Sequence, residues 1–130
     1  MFLTWGPVCQ HVNKSMFCFV HNFTIFFLNN YIQKNGKINV AIGPCINAHN
    51  YEVDQDFYLK FIHESKSNKK FFFSTVKNKF LFDLRKYVNS KFEKLDVNHV
   101  DNINFDTFSE NKNFFSFRRS KQIGEKDYGR

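Results

Sequence analysis

Two adjacent guanidiniums close the aromatic run Phe114-Phe115-Ser116-Phe117-Arg118-Arg119. Such a pair can hold a phosphate or ribose phosphate through bidentate, charge-assisted hydrogen bonds; a solvated basic strand end is the plainer reading of the same residues. A second candidate is Gly43-Pro44-Cys45-Ile46, which leaves an apolar stretch and opens a loop reaching Tyr51-Glu52-Val53. Strand-to-loop junctions of this kind are where α/β proteins usually place ligands. Taken alone, Cys45 reads as a small buried hydrophobe in a turn, since a nucleophile would need a base beside it. Cys9, His11, Cys18 and His21 have the ligand types of a two-cysteine, two-histidine zinc site, although C-x-H…C-x-x-H is not a common finger spacing. His49, His63 and His99 read as solvated loop histidines, with His49 the one to test.

These residues need elements to position them. From Thr24 to Lys34, Ile25, Leu28 and Ile32 recur at helical spacing and Asn35-Gly36 supplies the stop, so a short helix is predicted. Ile38 to Ile42 then reads as a buried strand ended by Gly43-Pro44. Asp54 is a candidate N-cap for a helix carrying Phe57, Phe61 and Ile62 on one face, and the polar run His63–Lys70 ends it as a surface loop. Phe71-Phe72-Phe73 and Phe80-Leu81-Phe82 are short apolar runs read as strands, with a buried helical turn the alternative that periodicity alone leaves open. Asp83 begins the clearest helix, with Leu84, Tyr87, Val88, Phe92 and Leu95 on one stripe. Val100–Phe105 and Phe114–Phe117 are further strand candidates before a polar tail.

The chain has 130 residues, room for one domain, and its 19 phenylalanines supply more core-filling side chains than a disordered segment carries. Nineteen Lys and Arg against 12 Asp and Glu give a net charge of +7, which favours anionic partners without choosing among them. Three cysteines, unevenly placed, form no disulfide framework, and a reduced, cytoplasmic protein is expected. The apolar run Met16–Leu28 is interrupted by His21, Asn22 and Thr24 and is shorter than the ~20 residues of a membrane span, so no membrane association is expected.

Taken in order, Val40-Ala41-Ile42-Gly43-Pro44-Cys45-Ile46, Tyr51-Glu52-Val53, Phe82-Asp83-Leu84, Asp106-Thr107-Phe108 and Phe114–Arg119 resemble the C-terminal motifs of the laccase-domain family. These are zinc-dependent purine nucleoside phosphorylases once classed as polyphenol oxidases. The ending Gly124–Arg130 resembles the family's last motif. Five ordered matches over about ninety residues are far more specific than any single motif. The resemblance implies an α/β fold with mixed β-sheets flanked by helices. It also implies one zinc held by two histidines and a cysteine, and phosphorolysis of adenosine, inosine or methylthioadenosine, with adenosine deamination in the same family. Purine nucleosides and phosphate are the partners it implies, and nucleic acid is not among them. Arg118, Arg119, Cys45 and Tyr51 are the residues expected at the substrate or phosphate.

The family's Asp-Cys segment and His-Ala-Gly-Trp-Arg-Gly motif have no counterpart here, and only His11 falls where the motif histidine should. Residues 1–23 therefore read as a divergent segment and 24–130 as the laccase-domain-like C-terminal portion, an incomplete copy of the fold whose N-terminus is truncated or frame-disrupted. Two rival readings stand beside the phosphorylase: an inactive remnant, and a small basic nucleic-acid-binding module using aromatics and lysines. Copper oxidase chemistry would need several histidine-rich ligand clusters, and five scattered histidines do not provide them.

Overall fold

The computed structural model describes residues 2–5, 32, 38–95 and 97–124. Two three-stranded sheets share one hydrophobic core. In the first sheet β1 (Phe2–Trp5), β2 (Asn39–Ile42) and β6 (His99–Asn102) run parallel in the order β1-β2-β6. Parallel neighbours need a long crossover, and the connection from β2 to β6 contains the whole second sheet and two helices. That second sheet is antiparallel, β3 (Glu52–Asp54), β5 (Lys79–Phe82) and β4 (Phe72–Ser74), with β5 in the centre. Its tight β4–β5 turn uses Lys77 and Asn78 at φ 59° and 58°, the left-handed conformation that matches the natural twist of a hairpin.

Both capped helices form where their cap residues predict. The Asp54 carboxylate accepts from the Phe57 amide at 2.8 Å and opens α1 (Gln55–Glu64). Asp83 accepts from the Lys86 amide at 2.9 Å and opens α2 (Leu84–Phe92). Helical spacing places Phe57 and Phe61 of α1, and Leu84, Tyr87, Val88 and Phe92 of α2, on buried faces. Phe82, fully buried, is ringed by Phe72 at 4.6 Å, Phe61 at 5.0 Å, Phe57 at 5.3 Å and Tyr87 at 5.6 Å between centroids. Much of the phenylalanine excess is thus core.

Several expectations change. The polar run after α1 is not simply a surface loop: Lys66–Phe71 forms a 3-10 turn whose Asn68 is buried and donates to the Phe61 carbonyl at 2.9 Å, closing the end of α1. Phe71 belongs to that turn and the strand begins at Phe72. β6 stops at Asn102, because the carbonyls of Ile103 and Phe105 turn to Arg85.

The largest correction is Phe114–Phe117, which is not a strand. Phe117 starts a helix, α3 (Phe117–Ile123), because the Ser116 hydroxyl accepts from the Arg119 amide at 3.3 Å and nucleates the turn. Gly124 ends it in the left-handed conformation at φ 73°. Of the helix expected over Thr24–Lys34, only Ile32 is described; it is helical and buried. The rest of that segment lies outside the described residues.

Candidate functional site

Two chain segments leave the C-terminal ends of β2 and β6 side by side. After Ile42, the chain from Gly43 to Tyr51 runs beside residues 103–110, joined by Ile103 N–H to the Ile42 carbonyl at 2.9 Å, Thr107 N–H to the Cys45 carbonyl at 3.3 Å, and an isolated parallel bridge between Cys45 and Asp106. The ends of parallel strands are where α/β folds leave room for ligands, and Cys45 and Tyr51 both lie on this edge.

Asp106 is the latch between the two segments. One carboxylate oxygen accepts from the backbone amides of Asn47 (3.1 Å) and Phe108 (3.0 Å), the other from the Asn50 amide group (2.7 Å) and the Ser109 hydroxyl (2.7 Å). Burial alone would push its pKa up; the hydrogen bonds from Ser109, Asn47, Phe108 and Asn50 together outweigh burial and hold it below the usual carboxylate range. Arg85, from α2, clamps the same region by donating to the Ile103 and Phe105 carbonyls at 2.5 and 3.0 Å and to the Asn104 side chain at 2.9 Å.

Cys45 packs beside that arginine. Burial pushes the thiol pKa up, and although Arg85 pulls it down, Asp83 and Asp106 raise it further. Burial therefore works against a reactive thiolate here. Sequence reasoning assigned Asp106 no role beyond its place in a motif, and Arg85 none at all. An Asp followed three residues later by Ser109, a common self-bonding turn pattern, was the one available signal.

Tyr51 and Arg118 are brought together. Tyr51 sits with its carbonyl accepting from Phe82 N–H at 3.0 Å and its ring against Phe82 and Phe57, at 5.8 and 6.2 Å. The Arg118 guanidinium lies over the Tyr51 ring, 5.5 Å from its centroid. Arg119 goes elsewhere: it donates to the carbonyls of Thr107 (3.0 Å), Phe108 (2.6 Å) and Phe114 (2.7 Å). The two arginines expected as a pair therefore make different contacts.

His49 is exposed on a single 3-10 turn, Ala48–Asn50; His63 is exposed near the end of α1; and His99 is exposed on β6, 2.9 Å from Asp101. Among the described residues no three His, Cys, Asp or Glu side chains group closely enough to hold a metal ion. The described residues therefore do not by themselves fit a zinc centre, and no chemical step is assigned to one. His11, like Cys9, Cys18 and His21, lies outside the described residues. No helix among the described residues is long and apolar enough to cross a membrane.

Among solved structures, a crystal structure of a Neisseria meningitidis protein of the DUF152 family is similar at a TM-score of 0.55 and 30% identity, covering 58% of this chain and 31% of that one. Purine nucleoside phosphorylase of Rickettsia prowazekii is 34% identical over 103 residues, which is 78% of this chain and 43% of the relative. Purine nucleoside phosphorylase of Rickettsia conorii is 32% identical over 108 residues, 82% of this chain and 45% of the relative. The chain thus spans less than half the length of the curated relatives it matches. Residues 16–130 match the family described as multi-copper polyphenol oxidoreductase laccase, and the chain belongs to that family.

Proposed function

We propose that this chain carries the phosphate-facing portion of a purine nucleoside phosphorylase site. In that reaction a phosphate oxygen attacks C1′ of adenosine, inosine or methylthioadenosine and the N-glycosidic bond breaks, leaving the free purine and a ribose 1-phosphate. The observation that carries the reading is the state of Arg118. Half-buried on α3 and seated on Tyr51, its guanidinium makes no hydrogen bond among the described residues, so its donors are available to an oxyanion. The two relatives named purine nucleoside phosphorylase support the substrate class, and the net charge of +7 favours an anionic co-substrate. Tyr51 supplies a flat surface for the cation above it, and the Cys45–Asn50 loop, held by Asp106, shapes the adjoining wall.

The test is to incubate the full chain with each nucleoside and phosphate and follow base release chromatographically. Phosphate-dependent release that falls in R118A is the expected result. No release together with no nucleoside binding by calorimetry overturns the reading. Binding without turnover identifies the inactive remnant, which keeps the fold and not the chemistry.

A further inference from the structure

Arg118 and Arg119 are consecutive residues of one helical turn, each with five N–H donors in a planar fork. Their surroundings are opposite. Arg119 directs its fork at three backbone carbonyls, Thr107, Phe108 and Phe114, and its own amide is bound by the Ser116 hydroxyl. These carbonyls belong to a segment that reverses direction through Glu110 N–H to Asp106 O at 3.0 Å and Phe114 N–H to Glu110 O at 2.9 Å. A guanidinium can satisfy several such carbonyls at once where a lysine, a point charge, cannot. Arg118 has no such partners among the described residues and rests on the Tyr51 ring.

We infer that Arg119 is a positioning residue that does not touch the ligand, and that through it Arg118 is seated on Tyr51 as the guanidinium that receives an inorganic phosphate oxyanion. Naming phosphate rests on the function proposed above; the positioning role does not. The coupling is geometric. Neighbouring side chains on a helix are separated by a fixed rotation of about 100°, so locking Arg119 onto the 107–114 segment fixes the rotation of α3 and with it the direction in which Arg118 leaves the helix.

Side-chain nitrogen-15 NMR on the full chain reads both arginines. In the wild type, the Arg119 guanidinium protons should exchange slowly with water and those of Arg118 fast, and the Arg118 δ protons should be shifted upfield by the Tyr51 ring. Inorganic phosphate should move the Arg118 signals and leave those of Arg119 in place. R118K should weaken phosphate binding roughly tenfold while Arg119 exchange stays slow. R119K should abolish the upfield shift of Arg118 and weaken phosphate binding by a similar factor, although the substituted side chain would be remote from the anion. Y51L should remove the shift without speeding Arg119 exchange.

Persistence of the Arg118 upfield shift in R119K overturns the positioning role, whether or not phosphate binds. Should R119K fail to fold, the wild-type exchange rates still decide: equal rates for the two arginines overturn it. Phosphate perturbing Arg119 directly overturns the division between them. If the exchange and ring shifts are as expected but phosphate moves neither residue, the positioning role stands and the phosphorylase reading falls.

Discussion

Replacing Asp106 by alanine removes an acceptor from four donors at once: the Asn47 and Phe108 amides, the Asn50 side chain and the Ser109 hydroxyl. Asp106 is half-buried, so water can reach the abandoned donors and each bond contributes near the low end of the usual range, about 0.5–1 kcal/mol. The summed loss is about 2–4 kcal/mol, which for a chain of this size corresponds to a fall in Tm on the order of 10 °C. D106N should lose nearly as much. It retains one acceptor oxygen, but its new amide N–H groups oppose two existing donors.

The pH dependence has a definite sign. The folded-state pKa of Asp106 is lowered, so its stabilisation is fully present above the unfolded value of about 3.9 and is lost as pH falls through the still lower folded value. Urea denaturation followed by far-UV circular dichroism, at neutral pH and again below about pH 4, should show a wild-type to D106A gap that narrows on acidification. A gap under about 0.5 kcal/mol at neutral pH, or one that widens with acid, would refute the view of Asp106 as the latch between the two segments.

Phe82 is fully buried and touches four core rings; F82A should cost about 3–5 kcal/mol, seen as loss of cooperative thermal unfolding, while F82L should fold with a lowered Tm. Because burial raises the Cys45 thiol pKa, its reaction with a disulfide reagent in the native chain should accelerate only at a higher pH than that of a free cysteine; an equal or lower midpoint would contradict the packing around it. Removing the cap of α2 with D83A should lower stability by about 1 kcal/mol in chemical denaturation, with D83S largely restoring it. G124A should cost up to about 1 kcal/mol from backbone strain alone, since a Cβ there would meet no atom within 4 Å.

Much of this protein is legible in its sequence because the signals are local. Asp54 and Asp83 each precede an apolar stripe at helical spacing, so caps and buried faces follow from neighbours three and four residues away. The β2 strand announces itself by an apolar run closed with Gly43-Pro44, and the ordered motifs from Val40 to Arg119 point to the family. The 3-10 turn at Lys66–Phe71 was hidden because its stabilising feature is one asparagine that reaches back seven residues to Phe61, and its polar composition reads as solvent-exposed loop.

The sequence marked Tyr51 and Arg118, which the structure brings together, but not what each of the two arginines contacts. Phe114-Phe115-Ser116-Phe117 looks like a strand by composition, yet no strand pairs with it among the described residues, and Ser116, once free to accept an amide, starts a helix instead. Likewise Arg118 and Arg119 are chemically identical neighbours. Sequence determined that two guanidiniums stand there; only the tertiary fold, by bringing the carbonyls of Thr107, Phe108 and Phe114 beneath one of them and the ring of Tyr51 beneath the other, decided which is tied to the backbone and which rests on an aromatic face. A guanidinium has no intrinsic preference between a carbonyl and an oxyanion that its own sequence position can encode; its role follows from which acceptors the folded chain places within reach.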